Sequence, residues 1–432
     1  MSTTFQSALE ALYGLERRKD KLGLDGTRAL LGALGDPQNR FSAVHVAGTN
    51  GKGSVCALVE RVLREAGYRS ALFTSPHLVD FRERIRVRGR WAERSRLERR
   101  LAEIQELPAG RDRTFFEIAT ALAFDDFASR RAEIAVVEVG LGGRLDCTNV
   151  VVPVVTAITS IGLDHTEILG DTLEKIAAEK AGIAKPGVPM VTQIADRGAR
   201  RVVEAHLARQ PAPLLAVNRV WTHFKQVRGR GARWSELDAT PWSPRLRLRP
   251  SPSFLLENVA TAVEVLAALH IRGWKIPAAA LKRGLERARW PGRFEACPRE
   301  PRLWWDGAHN TEAMQGLVGQ WLEHHEEAPE VVVLALSRDK DGATILQVLR
   351  RAFPEARLVV TRTANTRAAE VELLRGLAAV TGFVVHTAPD IPSALTGALA
   401  TSAPRGRVLL TGSLFAVGEA MAALGGAPGE RM

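Results

Sequence analysis

A strand-like apolar run at residues 41–46 leads directly into Ala47-Gly-Thr-Asn-Gly-Lys-Gly-Ser54, after which Val55, Leu58, Val59, Val62 and Ala66 recur at helical spacing before Gly67. A strand, a glycine loop and a helix in that order restrict the chain to a parallel α/β design. The loop also has the composition that a phosphate group requires. Glycines let backbone N–H groups converge on phosphate oxygens, the helix N-terminus adds a favourable dipole, and Lys52 neutralises charge. The Ser54 hydroxyl at the helix start is in a position to reach a magnesium ion. The run departs from G-x-x-x-x-G-K-[ST], because Gly53 separates Lys52 from Ser54 and Gly48 lies only three residues before Gly51. The plain alternative is an ordinary glycine turn.

Similar runs recur at residues 69–74, 134–139, 154–161 and 188–192, and a second set occurs at 303–306, 331–336, 357–361, 383–386 and 408–411, with helical patterns between them. At 432 residues and 46% hydrophobic, the chain has enough apolar side chain for two cores. The expected fold class is α/β: a P-loop parallel-sheet N-terminal domain (residues 1–296) and a smaller Rossmann-like C-terminal domain (297–432). The hinge is expected in Trp290-Pro-Gly-Arg-Phe-Glu-Ala-Cys-Pro298, where two prolines and a glycine forbid a continuous helix. Residues 211–252 read as a small antiparallel appendage. Three cysteines, far apart, support neither a disulfide framework nor a thiolate zinc site, and a reducing cytoplasm fits. No stretch reads as a membrane span or export leader.

Further motifs sit at strand ends. In Ala135-Val-Val-Glu-Val-Gly-Leu-Gly-Gly-Arg-Leu-Asp146, Glu138 is placed to hold magnesium, or equally to be a lone charge paired with an arginine. Thr156-Ala-Ile-Thr-Ser-Ile-Gly-Leu-Asp-His165 offers His165 as metal ligand or phosphate contact, with Asp164 able to fix its tautomer. Residues 173–185 read as a helix whose Glu174, Glu179 and Lys180 are surface charges by default. In Trp304-Trp-Asp-Gly-Ala-His-Asn310, Asp306 suits ribose hydroxyls and His309 a phosphate, while the tryptophans read as core. Ser337-Arg-Asp-Lys-Asp341 reads, on its own, as a solvated turn.

The Gly48–Ser54 loop, Thr74-Ser-Pro-His-Leu78, residues 138–149, Leu163-Asp-His-Thr166, Glu179-Lys-Ala-Gly182, Pro291-Gly-Arg-Phe-Glu295, residues 306–310 and Asp339-Lys-Asp341 together resemble the folylpolyglutamate synthase/dihydrofolate synthase family of the Mur ligase superfamily. The resemblance runs from about residue 22 to 417 with motif order retained. It implies ATP held between the domains, its phosphates cradled by Thr49, Asn50, Gly51, Lys52 and Gly53. Asn258, Arg293, Asp306 and His309 match nucleotide-binding positions. Ser75, Glu138 and His165, with Ser54 as a further candidate, would ligand magnesium, expected as two ions. Lys180 matches a lysine that is carbamylated in the family, and Lys52, Lys180 and His165 would be the catalytic groups. The pterin side would be Lys21, Leu22 and Gly23, then Thr114 and Phe116, then Leu145, Asp146 and Cys147. Cys147 stands where alanine is common, Phe254-Leu255 where His-Gln often stands, and Ser337-Arg338 replaces a more apolar approach.

The implied reaction is ATP-dependent joining of L-glutamate to dihydropteroate, to the terminal glutamate of a reduced folate, or to both, in a cytoplasmic monomer whose partners are small molecules. A one-activity synthase or another amino-acid ligase of the superfamily are the near alternatives. A nucleic-acid ATPase is the distant one. It is motivated by a net charge of +11 and by two basic stretches, with nine arginines against three glutamates in residues 82–100 and twelve basic residues against three acidic ones in 197–249. Trp221, Phe224, Trp234 and Trp242 hint at aromatic interleaving, but no nucleic-acid module accompanies them.

Overall fold

The computed structural model describes residues 5–15, 23–216, 224–229, 232–239, 243–248 and 256–430. Eight strands form the first sheet: β1 (Ser42–Ala47), β2 (Ser70–Phe73), β3 (Ile85–Val87), β4 (Arg90–Trp91), β5 (Ile134–Glu138), β6 (Pro153–Ile158), β7 (Met190–Thr192) and β8 (Leu214–Ala216). Their order is β4-β3-β2-β5-β1-β6-β7-β8. The six strands from β2 to β8 across the sheet are parallel, and the β3–β4 hairpin adds antiparallel to β2. β2 and β5 are buried throughout, as expected of a sheet covered on both faces. Helices Lys52–Glu65 and Leu256–Ile271 supply the core on one face, and helix Phe115–Ser129 on the other.

Strands β9 (Phe224–Gly229), β10 (Ala232–Ala239) and β11 (Ser243–Leu248) form the expected antiparallel appendage. The second sheet holds β12 (Glu295–Ala296), β13 (Leu303–Trp305), β14 (Val331–Leu334), β15 (Arg357–Val360), β16 (Val385–Thr387) and β17 (Val408–Thr411), in the order β12-β13-β17-β14-β15-β16. All its pairings are parallel except β12 with β13. Trp305 is fully buried and Trp304 packs against the core, as read from the sequence.

One local expectation fails for an identifiable reason. The helix expected over 173–185 ends at Ala181, where the amides of Gly182, Ile183 and Ala184 tighten to bonds three residues back, and the Gly182 carbonyl is taken by the Asn149 side-chain amide at 3.1 Å. The arginine-rich segment 82–100 is an open cationic face only in part: Arg88, Arg90, Arg94 and Arg99 are exposed, while the rest are paired or buried. Arg82 pairs with Asp80 at 2.8 Å, Arg100 with Asp125 at 2.8 Å, Arg96 with Asp126 at 3.3 Å, and Arg86 is buried inside the hairpin. No helix among the described residues is long and apolar enough to cross a membrane.

Candidate active site

From β1 the chain turns toward β2 on one side, whereas β6 lies on the other, so a crevice opens at the C-terminal ends of β5, β1 and β6. Ligands of open α/β sheets sit at such points. The glycine loop occupies it, seated on the end of β6: the Thr49 amide donates to the Ser160 carbonyl at 2.8 Å and the Asn50 amide to the Ser160 hydroxyl at 3.0 Å. Gly51 has φ +81°, a left-handed value that favours glycine, and a Cβ there would also collide with Asn258. At Gly53 a Cβ would lie 2.8 Å from the Trp290 ring. No side chain caps the helix Lys52–Glu65 that follows, so its first amides keep the polarity that suits an anion.

Lys52 folds back over the loop, donating to the carbonyls of Gly48 at 3.0 Å and Thr49 at 3.1 Å. Its charge acts on Glu138, Lys180 and His165. Glu138, at the end of β5, is buried and accepts from the Ser75 amide at 3.0 Å. Burial pushes its carboxyl above the usual range, opposed first by Lys52. Gly53, Ser75 and Glu138 line a cleft that Trp290, Arg293 and Leu414 close from the linker and second domain. Ser54 is buried in the first turn of the loop helix.

Lys180 contradicts the surface reading. It is 3% exposed and donates to the Gly48 carbonyl at 2.9 Å. Burial, then the charge of Lys52, pulls it down to about 7. His165 stands with Asp164 and Asp339, their ligand atoms within 4.8 Å of one another, and burial lowers it to about 4. Asp164 is the hub of contact between the domains. It accepts from Lys340 at 2.5 Å and Asn310 at 3.1 Å, with His309 at 3.7 Å. Asn50 and Asn310 exchange amide hydrogen bonds at 3.2 and 3.0 Å, and Asn50 also donates to Glu312 at 2.7 Å. The reading of 337–341 as a solvated turn holds for exposed Arg338, Asp339 and Asp341 but is corrected at Lys340, whose side chain is 7% exposed.

Asp306 is buried, and its oxygens accept from the amides of Phe294 at 2.9 Å and Ala308 at 2.7 Å, so this carboxylate shapes the strand-end turn. On the other side of β5, Phe116 packs against Gly140. Asp146 accepts from the Leu141 amide at 2.9 Å and from Thr148, whose hydroxyl also meets His45 at 2.8 Å. Cys147 is buried in the turn Cys147–Val150, against which helix Phe115–Ser129 packs. Thr114 caps that helix, accepting from the Glu117 amide at 3.3 Å. Leu145 is half-buried, and Gly23 opens the described segment 23–216, while Lys21, Leu22, Trp221, Trp242 and Phe254-Leu255 lie outside the described residues. Sequence reasoning missed Glu312 and gave Asn310 no role. Asn310 closed a motif already singled out, whereas Glu312 carried no signal beyond its helix.

Known proteins share this arrangement. Residues 46–210 match the family model of the Mur ligase middle domain, and residues 292–414 that of the Mur ligase glutamate ligase domain. The chain is 36% identical over 361 residues to the dihydrofolate synthase/folylpolyglutamate synthase of Bacillus subtilis, covering 81% of this chain and 83% of that one. It is 36% identical over 433 residues to a probable bifunctional folylpolyglutamate synthase/dihydropteroate synthase of Haloferax volcanii, covering 96% of this chain but only 50% of that relative's length. The structure of Escherichia coli FolC in complex with DHPP and ADP has a TM-score of 0.87 at 29% identity, with 98% of both chains covered. A bifunctional folylpolyglutamate synthase/dihydrofolate synthase with Mn, AMPPNP and L-glutamate bound has a TM-score of 0.83 at 30% identity, covering 98% of this chain and all of that one. The two-domain α/β fold, the glycine loop at its switch point and these similarities lead to one conclusion: the chain belongs to the folylpolyglutamate synthase/dihydrofolate synthase family of Mur ligases.

Proposed function

We propose that the chain is an ATP-dependent ligase that joins L-glutamate, through its amine, to a carboxylate of dihydropteroate, of the terminal glutamate of a reduced folate, or of both. The observation that carries this reading is the uncapped loop helix with Lys52, facing buried Glu138 across a cleft that Arg293 closes from the hinge. A carboxylate is a poor acyl donor. Moving the γ-phosphoryl group of ATP onto it makes an acyl phosphate, which the glutamate amine attacks to give the amide, phosphate and ADP. Lys52 and the loop amides bind phosphoryl oxygens and offset charge that develops in the transfer. Arg293 adds a second cation from across the cleft. The Asp164–Lys340 and Asn50–Asn310 contacts hold the domains together over the loop and exclude water from the acyl phosphate.

Magnesium fits the residues present. Among the described residues Glu138 is a buried oxygen donor hydrogen-bonded only to an amide, and Ser75 is its immediate neighbour. Ser75, Glu138 and His165, with Ser54 alongside, would hold the metal, which when bound offsets phosphoryl charge. A lysine near pH 7 is partly a neutral amine, so Lys180 is suited to take up carbon dioxide, giving a carbamate and a proton. That turns a cation into an anion able to support a second ion. Phe116, Leu145, Asp146 and Cys147, with Thr114, are assigned to the pterin, and Thr49, Asn50, Gly51, Gly53, Asn258, Asp306 and His309 to the nucleotide side. We place the domain division within residues 290–298 and the protein in the cytoplasm as a monomer.

The test is phosphate release from ATP with magnesium and L-glutamate, run with dihydropteroate, with tetrahydrofolate and without either. Release with both acceptors shows two activities, and release with one names it. Release with neither discards the folate reading in favour of another superfamily ligase.

A further inference from the structure

A second cavity, of about 160 Å³, lies on the far side of Arg86 from the cleft. Its walls come from the loop helix (Glu60, Arg61, Arg64), the β3–β4 hairpin (Arg86) and the segment just before the hinge (Arg287, Arg289). Arg86 is 2% exposed, and its Nε donates to the Glu83 carbonyl at 3.0 Å. Its Nη1 is buried and lacks any hydrogen-bond partner among the described residues. A buried guanidinium N–H without an acceptor is costly, and an oxyanion entering the cavity would remove that cost. Burial pulls the group down to about 10, which leaves it charged at neutral pH.

The charges around the cavity do not cancel. Glu60 accepts from the Ser70 hydroxyl at 2.7 Å and lies 3.5 Å from Arg64. Glu65, behind the wall, takes Arg61 at 2.9 Å, with Arg287 at 3.9 Å. Five guanidinium groups therefore meet three carboxylates: Glu60, which burial pushes toward its neutral form, Glu65 behind the wall, and Glu83, whose charge acts on Arg86 from the hairpin side. The cavity is walled partly by residues 287–289, and the next residue, Trp290, covers Gly53 of the phosphate loop.

We propose that this cavity is a second oxyanion site, separate from the phosphate loop, that takes a phosphate or carboxylate group and ties the pre-hinge segment to the loop helix and hairpin. Two ligands in reach of this chemistry are inorganic phosphate and the carboxylates of a γ-glutamyl peptide. The site does not depend on which acyl acceptor the enzyme uses.

The experiment is thermal unfolding of the full chain, at constant ionic strength, with phosphate or tri-γ-glutamate titrated in. Three proteins are compared: the wild type, Lys52→Ala, and Arg287→Gln/Arg289→Gln, whose exposed side chains can be changed without disturbing the core. A saturable rise in Tm of about 3–5 °C is expected in the first two proteins and a loss of most of it in the third. Saturating ligand should also slow amide exchange across residues 287–290 in the first two only. Whichever of phosphate and tri-γ-glutamate gives the saturable shift identifies the source, and either one supports the site. A shift lost in Lys52→Ala but kept in the double variant places the anion at the phosphate loop and overturns the proposal. A non-saturating shift equal in all three proteins reveals an adventitious ion only and overturns it too.

Discussion

The helix that follows the glycine loop and four of the five helices of the second domain begin in opposite ways, Val371–Val380 being the uncapped exception in that domain. Helices Thr311–His324, Gly342–Ala352, Ile391–Thr401 and Leu414–Leu424 are each capped by their own side chain, from Asn310, Asp341, Asp390 and Ser413. Lys52–Glu65 begins at Gly51 with no side-chain cap. A cap spends the terminal amides on the protein itself, whereas an uncapped terminus keeps them for a ligand. The two domains thus share an architecture and divide the labour: one presents open amides, and the other supplies well-capped helices that carry Lys340, Asn310 and Glu312 to the loop.

Substitutions at the two kinds of terminus should separate turnover from stability. Lys52→Ala should lower kcat by about 10³-fold with unchanged circular dichroism. Retained turnover would sink the role given to Lys52. Glu138→Gln should cost about 10²-fold in kcat yet raise Tm near pH 8. The sign follows from the raised pKa of the buried carboxyl: its favourable contribution is present below the unfolded value of 4.5 and is lost as pH rises through the higher folded value. A Glu138→Gln protein with lower Tm at pH 8 contradicts that account.

Lys340→Met breaks the ion pair with Asp164 and should reduce stability by about 2–3 kcal/mol at pH 7 in urea unfolding. Asp164 is held well below the usual carboxylate range against the effect of its own burial, by His165, then Lys340 and His309. Its contribution is present above the unfolded value of 3.8 and fades as pH falls, so the difference between variant and wild type should shrink in acid. An unchanged gap at low pH would show that Lys340 acts through packing instead. Asp390→Ala removes a cap far from the loop, and Tm should fall by about 2 °C with kcat/KM within twofold of wild type. A larger loss of activity would blur the division between the two kinds of helix start.

What was legible in the sequence was local. The β1 loop, Glu138 at the end of β5 and His165 beyond β6 are each set by a few neighbouring residues, and strand patterns of buried parallel sheets show in the hydrophobic runs. The β3–β4 hairpin was hidden because its basic sequence hides the apolar alternation of a strand: Arg86 and Arg84 are 2% and 5% exposed in it. Lys340 looked like turn surface because its acceptor, Asp164, lies 176 positions away, and no local pattern announces such a partner. Lys180 was legible only through resemblance, since its burial arises from the approach of its helix to the Gly48 carbonyl.

The reciprocal amide pair between Asn50 and Asn310 spans 260 positions of chain. During synthesis at roughly 5–20 residues per second, the second partner emerges about 13–50 s after the first. The first sheet therefore has time to form around the glycine loop while the groups that will close over it do not yet exist. For that interval the nascent chain can meet nucleotide without its counterpart domain, and completion of the closed enzyme is timed by the ribosome.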